Sequence, residues 1–168
     1  NLLDLRVYSS RLLGADPTLV LHGGGNTSVK VSRKDAWGQK QEIAYIKGSG
    51  WDLATIKRAG FSPVKLTELR KMVDLEKLSD SEMVRLLRAS MTDPYAPTPS
   101  VEAILHGLIP FRFVDHTHAN AVVTVTNTHK GLEFIKQIYK DEILVIPYVM
   151  PGFILAKKVA DLTQNIDW

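Results

Sequence analysis

HGGGNTSVKVSRKDAWGQKQEIAYIKGSG, His22 to Gly50, is the stretch whose reading decides the fold. Ser28 to Ser32 alternates apolar and polar side chains as SVKVS, and Glu42 to Ile46 is a second candidate strand. Asp35 to Gln39 lies between them and holds Gly38, so residues 28–46 read as a hairpin. Paired hairpin strands are antiparallel, which rules out a purely parallel sheet. The outer ends of a hairpin meet in space. HGGGNTS and KGSG flank this one and are therefore expected to lie together. Their glycines let backbone N–H groups approach an anion closely, the alternative being a tight turn at each end of the hairpin. Neither loop contains GxxxxGK[ST] or GxGxxG, so this segment is not expected to form a nucleotide-triphosphate or nicotinamide site.

Working outward, residues 1–15 read as an amphipathic helix with Leu2, Leu5, Leu12 and Leu13 near one face, ended by Asp16-Pro17. Residues 53–60 suit a short helix. Residues 65–92 are helical in pattern, with Met72, Leu75, Leu78, Met83 and Leu86 spaced for a helix face and Ser79 or Ser81 as a cap for the second half. DPYAPTPS, residues 93–100, must be an extended loop because of its prolines. Ser100 is then expected to cap a helix over 101–108. Phe113 to His118 reads as a strand, and Asn120 to Asn127 fits either a strand or a helix running on to Tyr139. Ile143 to Tyr148 reads as a strand, and a final helix follows Pro151-Gly152. Short strands alternating with helices predict an α/β sandwich.

The chain has 168 residues, 45% hydrophobic and 23% charged, which suits one globular domain over 1–168. Lys plus Arg is 21 and Asp plus Glu is 18, so the net charge is 21 − 18 = +3. With no Lys/Arg block, that balance argues against a nucleic-acid partner. The absence of cysteine excludes disulfides and thiolate chemistry, so any metal must sit on His and carboxylates. The least polar run, Ile143 to Ala156, is too short to cross a bilayer and holds Pro147 and Pro151, so no membrane partner is expected. The chain opens on Asn1 directly in a helical pattern and ends at Trp168 without a helix stop signal. Both ends are read as cuts in a longer polypeptide.

Chemistry is suggested at two further places. In DHTH, Asp115 to His118, a strand would put His116 and His118 on one face. Two imidazoles so placed can ligate one Zn²⁺ or another divalent transition metal; the alternative is two unrelated polar residues at a strand end. In PSVEAILH, Pro99 to His106, Glu102 either complements a helix dipole or serves as a general acid/base. His106 shares its helix face and fits a supporting partner, a ligand or a hydrogen-bonded core histidine.

GNTS, KGSG, PS-x-E and HTH, in this order, resemble the class II aldolase/adducin N-terminal family of metal-dependent sugar-phosphate aldolases and epimerases. HGGGNTSVK, IKGSGWDL and PSVEAILH are similar in style to rhamnulose-1-phosphate aldolase domains fused to a short-chain dehydrogenase. The resemblance covers residues 5–160. It implies a three-layer α/β/α sandwich with a mixed, mostly antiparallel sheet, truncated at the C-terminus. It implies His116 and His118 as metal ligands, Glu102 as catalytic acid/base, and Asn26, Ser49, Gly50 and Ser100 as the phosphate grip. The implied activity is cleavage of a ketose 1-phosphate to dihydroxyacetone phosphate and an aldehyde. The implied setting is a cytoplasmic homo-oligomer, a tetramer, with Zn²⁺ as cofactor, a small phosphorylated sugar as substrate and a dehydrogenase domain in the same polypeptide. Two departures stand out. Val101 replaces a second Ser before the catalytic Glu, and the family's third His ligand, in an Asn-His-Gly stretch, has no counterpart before Trp168. The 168-residue piece is therefore expected to fold, to bind metal weakly and to have little aldolase activity. The alternatives are a sugar-phosphate epimerase and a non-catalytic adducin-like binding domain.

Overall fold

The computed structural model describes residues 1–168. Four strands form one antiparallel sheet in the order β3-β2-β1-β4. They are β1, Asn26–Lys34; β2, Lys40–Lys47; β3, Phe61–Lys65; and β4, Phe113–His116. The β1–β2 hairpin is as read, with Ser28 opposite Ile46 and Ser32 opposite Glu42. On β2, alternation sends Ala44 and Ile46 to one side, and Ile43 and Tyr45 to the other. Helices cover both faces, because a central strand apolar on both sides must be buried on both. Below lies α1, Leu2–Gly14. Above lie α2, Leu66–Val73; α3, Asp80–Ala89; α4, Ala103–Leu108; and α7, Phe153–Thr163. The layers make the expected α/β/α sandwich. Two short helices, α5, Asn120–Thr126, and α6, Gly131–Tyr139, follow β4. No helix is long and apolar enough to cross a membrane.

Several local expectations change. Residues 65–92 form two helices with a break before Ser79, and Ser79 caps the second as read, its hydroxyl accepting from Glu82 N–H at 3.3 Å. Residues 53–60 hold only a 3₁₀ turn, Arg58–Gly60. FSPVK is a strand that its proline had concealed. Pro63 is tolerated because β3 is an edge strand whose outer side carries only an isolated bridge, Val64 to Met91, in which Pro63 serves as an acceptor from Thr92 N–H. Residues 120–126 are helical despite their β-branched composition. Residues 143–148 form no strand. Nothing pairs with them, Pro147 removes a donor, and Tyr148 is 88% exposed. Strand propensity is realised only where a neighbouring edge supplies the ladder.

The buried face of α1 also differs. Leu5 and Leu12 are exposed, while Leu3, Arg6 and Ser10 are buried. The polar pair is engaged by the strands beneath it, with Arg6 Nε alone left without a partner. Arg6 Nη1 donates to the carbonyls of Ser28 at 3.1 Å and Val114 at 3.4 Å, and Nη2 pairs with Asp115 Oδ1 at 2.7 Å. Ser10 Oγ shares a 2.8 Å hydrogen bond with Thr27 Oγ1. Arg6 thus ties β1 to β4 close behind Asn26 and His116. Arg6→Met is expected to cost about 2–4 kcal/mol of stability in urea titration, since two buried carbonyls and a partly exposed carboxylate lose their donor. An unchanged unfolding midpoint would count against this clamp.

Candidate active site

Asn26 opens β1 and His116 closes β4, and the ladder sets them directly opposite each other. The preceding loop crosses over this pair. His118 N–H donates to Leu19 C=O at 2.9 Å and Asn120 N–H to Thr18 C=O at 2.7 Å. Gly25 lies so close to β4 that a Cβ there would meet His116 O at 2.8 Å, and its φ of +65° also favours glycine.

The other wall comes from the end of β2. Ser49 N–H donates to Thr98 C=O at 2.8 Å, and Ser100 N–H to Lys47 C=O at 3.1 Å. These bonds stitch the proline-rich loop to KGSG. Gly48 permits the contact, because a Cβ there would sit 2.4 Å from Pro97 Cγ. Ser100 and Glu102 are thereby carried to the outer end of the hairpin.

The result is a cleft of about 240 Å³ lined by Gly23, Gly24, Gly25, Asn26, Lys47, Ser49, Gly50, Ser100, Val101, Glu102, His116 and His118. All seven residues singled out in the sequence face this one cleft. The details of two differ from expectation. Helix α4 has six residues and starts at Ala103, with Glu102 at its N-cap. Ser100 therefore caps no longer helix; its hydroxyl accepts from Glu102 N–H at 3.3 Å and donates to Glu102 Oε2 at 3.2 Å. Strand β4 stops at His116, so His118 lies beyond it, yet the two imidazole centroids remain 4.8 Å apart.

Asn26 is the hub. Its Nδ2 reaches Glu102 Oε2, Ser100 Oγ at 3.3 Å and His116 Nδ1 at 3.1 Å. Its Oδ1 meets His106 Nε2, and His106 Nδ1 meets Ser28 Oγ at 2.8 Å. Glu102 Oε2 also lies 3.6 Å from His116 Nδ1. Burial opposes ionisation of Glu102, but His116, Asn26 and Ser100 together favour the carboxylate, and its pKa falls to about 2. Lys47, 4% exposed, points into the cleft and donates to Gly23 C=O at 3.0 Å. Burial lowers its pKa, against the pull of Asp52 and Glu102. Lys47 went unassigned in the sequence. Its signal was its place beside KGSG, but only the folded hairpin shows that its ammonium faces the glycine loop.

The donor types suit a divalent transition metal: two adjacent imidazoles and one carboxylate face the cleft, with no thiolate in the chain. No three His, Asp or Glu side chains converge closely enough to enclose an ion. His116 and His118 fit as two of its ligands, whereas Glu102 is engaged by Asn26, Ser100 and His116.

The family model of the class II aldolase and adducin N-terminal domain matches residues 6–166. The chain belongs to that family. It is 42% identical to the N-terminal class II aldolase domain of a conserved protein from Thermoplasma acidophilum, with a TM-score of 0.87 over 94% of this chain and 73% of that one. It is also 41% identical over 159 residues to a Bacillus subtilis (strain 168) protein named uncharacterized oxidoreductase YuxG. That alignment takes in 95% of this chain but spans 23% of the relative's length. The class II aldolase fold thus holds over nearly the whole chain.

Proposed function

We propose that this domain is a metal-dependent class II aldolase that cleaves a ketose 1-phosphate of the rhamnulose-1-phosphate kind to dihydroxyacetone phosphate and an aldehyde. The observation that carries the reading is the meeting of Glu102, His116 and His118 with Asn26, Ser49, Gly50, Ser100 and Lys47 in one cleft of a class II aldolase-family chain. His116 and His118 would hold Zn²⁺ or a similar divalent ion. Such an ion, when bound, supplies Lewis-acid polarisation of the substrate's carbonyl and hydroxyl oxygens.

The remaining work falls to the chain. Asn26, Ser49, the Gly50 backbone and Ser100 grip the phosphate, and Lys47 balances its charge. The grip fixes the reacting carbons relative to Glu102, which is a positioning effect rather than chemistry. In cleavage the C3–C4 bond breaks and its electron pair passes toward the ketone. The ionised Glu102 takes the proton that the C4 hydroxyl loses as the aldehyde forms, and delivers it to C3. In condensation Glu102 removes that carbon-bound proton. The proposed assembly is a cytoplasmic homo-oligomer, and the oxidoreductase name of one relative supports a dehydrogenase-type domain in the same polypeptide.

The test is product analysis of the full-length protein with rhamnulose 1-phosphate, with and without added Zn²⁺. Release of dihydroxyacetone phosphate that a chelator abolishes, and that His116→Ala lowers by about 10²-fold or more, is the expected result. An epimerised sugar phosphate, or no turnover with zinc tightly bound, would overturn the aldolase reading.

A further inference from the structure

His106 does not line the cleft and touches no charged side chain, but it meets the lining residue Asn26 from behind. It is 1% exposed, and its two ring nitrogens are both engaged. The Asn26 amide oxygen can only accept, so Nε2 of His106 carries the proton that faces it. The neutral ring then presents Nδ1 as an acceptor, and the Ser28 hydroxyl donates to it. Turning the Asn26 amide over would set its oxygen against the Glu102 carboxylate, acceptor against acceptor, whichever tautomer His106 then took. The whole chain of contacts is satisfied in one direction only: Ser28 O–H to His106, His106 N–H to Asn26, and Asn26 NH₂ to Glu102 and Ser100.

We infer that His106 is a positioning residue, whose Nε2–H locks the Asn26 amide so that its NH₂ holds Glu102 and Ser100 in place for the reaction. The backbone could not do this alone. Asn26 begins β1, and its backbone pairing with His116 fixes Cα but leaves the terminal amide torsion free. The lock comes from the far side of the cleft wall, where α4 packs His106 against β1. The sequence carries the device as the spacing Glu102-x-x-x-His106, which sends the carboxylate to the cleft and the imidazole behind Asn26. The Ser28 hydroxyl completes it two residues along β1 from Asn26, on the same face. The catalytic consequence rests on the acid–base role proposed for Glu102.

Two measurements decide it. Long-range proton–nitrogen NMR on the protein reads the His106 tautomer directly. Protonated Nε2 with bare Nδ1 at neutral pH is expected, and the opposite tautomer or an imidazolium would overturn the inference. The second compares kcat for rhamnulose 1-phosphate cleavage by the zinc-loaded full-length protein carrying His106→Leu or His106→Gln. Leucine removes the donor, and kcat should fall by about 10²-fold with KM little changed, as for a small misplacement of a catalytic group. Glutamine can place an N–H near the position of Nε2 and should restore most of the loss. An unaltered kcat in His106→Leu, or no rescue by glutamine at equal thermal stability, would overturn it. If His106→Leu fails to fold, the tautomer and the glutamine variant still decide. Glu102→Gln is run alongside. Retained activity there would remove the acid–base reading, while the tautomer result would still judge the lock on Asn26.

Discussion

Glu102→Gln is expected to lower kcat for ketose 1-phosphate cleavage by about 10²–10⁴-fold, the usual worth of a positioned acid/base. The substitution keeps the size and most hydrogen bonds of the side chain while removing its ability to exchange a proton. KM should change little, because the phosphate grip proposed for Asn26, Ser49, Gly50 and Ser100 is left in place. Zinc content should also change little, because His116 and His118 are untouched. The low pKa of the free carboxyl, about 2, keeps Glu102 ionised across the working range, ready to accept a proton rather than donate one. Single-turnover exchange of the C3 proton of dihydroxyacetone phosphate with solvent isolates this step from bond cleavage. Exchange at the wild-type rate in Glu102→Gln would show that another group moves the proton.

The second large effect is on stability in acid, and His106 is its main source. Burial lowers the folded-state pKa of His106 to about 3; Glu102 opposes the shift, and the charges of His116, Lys30 and Arg6 reinforce it. In the unfolded chain the ring titrates near its ordinary value of 6.5. The folded pKa is the lower one, so below the ordinary value the unfolded state holds one more proton than the folded state. Stability is therefore fully present above that value and is lost as pH falls toward the folded pKa. The slope for one proton is about 1.4 kcal/mol per pH unit. Glu102 adds a loss of the same sign at lower pH, since its folded pKa is also depressed. Urea unfolding of wild type and His106→Gln between neutral pH and pH 4 measures the difference. The variant should be nearly flat where the wild type declines, and parallel curves would sink the assignment.

The two predictions share a physical origin in a polar network set into the end of a β-sheet. A buried histidine, a buried amide and a carboxylate can share one small volume only if every donor meets an acceptor. Here the surrounding apolar clusters on both sheet faces hold the strands rigid enough for that match. The same clusters exclude water from His106, which is why its neutral form prevails.

The hairpin over residues 28–46 was legible because alternation and turn residues are local signals, and antiparallel pairing follows from chain connectivity alone. From it came the meeting of HGGGNTS with KGSG. His116, His118 and Glu102 were marked by residue type and spacing, and Asn26, Ser49, Gly50 and Ser100 by the resemblance that the order of the motifs carries. What the local pattern could not supply was context. The apolar run at 143–148 has strand propensity but no partner edge, and FSPVK has a proline that only an edge position excuses. The buried face of α1 was misread because Arg6 and Ser10 look like surface residues until the carbonyls of Ser28 and Val114 and the Thr27 hydroxyl are placed beneath them. By itself the sequence determined the layered α/β class, the hairpin and the set of chemical groups available. Only the tertiary structure decided that Lys47 faces the glycine loop and that His106 sits behind Asn26 rather than in the lining of the cleft. The reason is that hydrophobicity and turn chemistry act between near neighbours in the chain. The direction of a buried hydrogen bond is settled by partners that the fold brings together from 78 and 80 residues away.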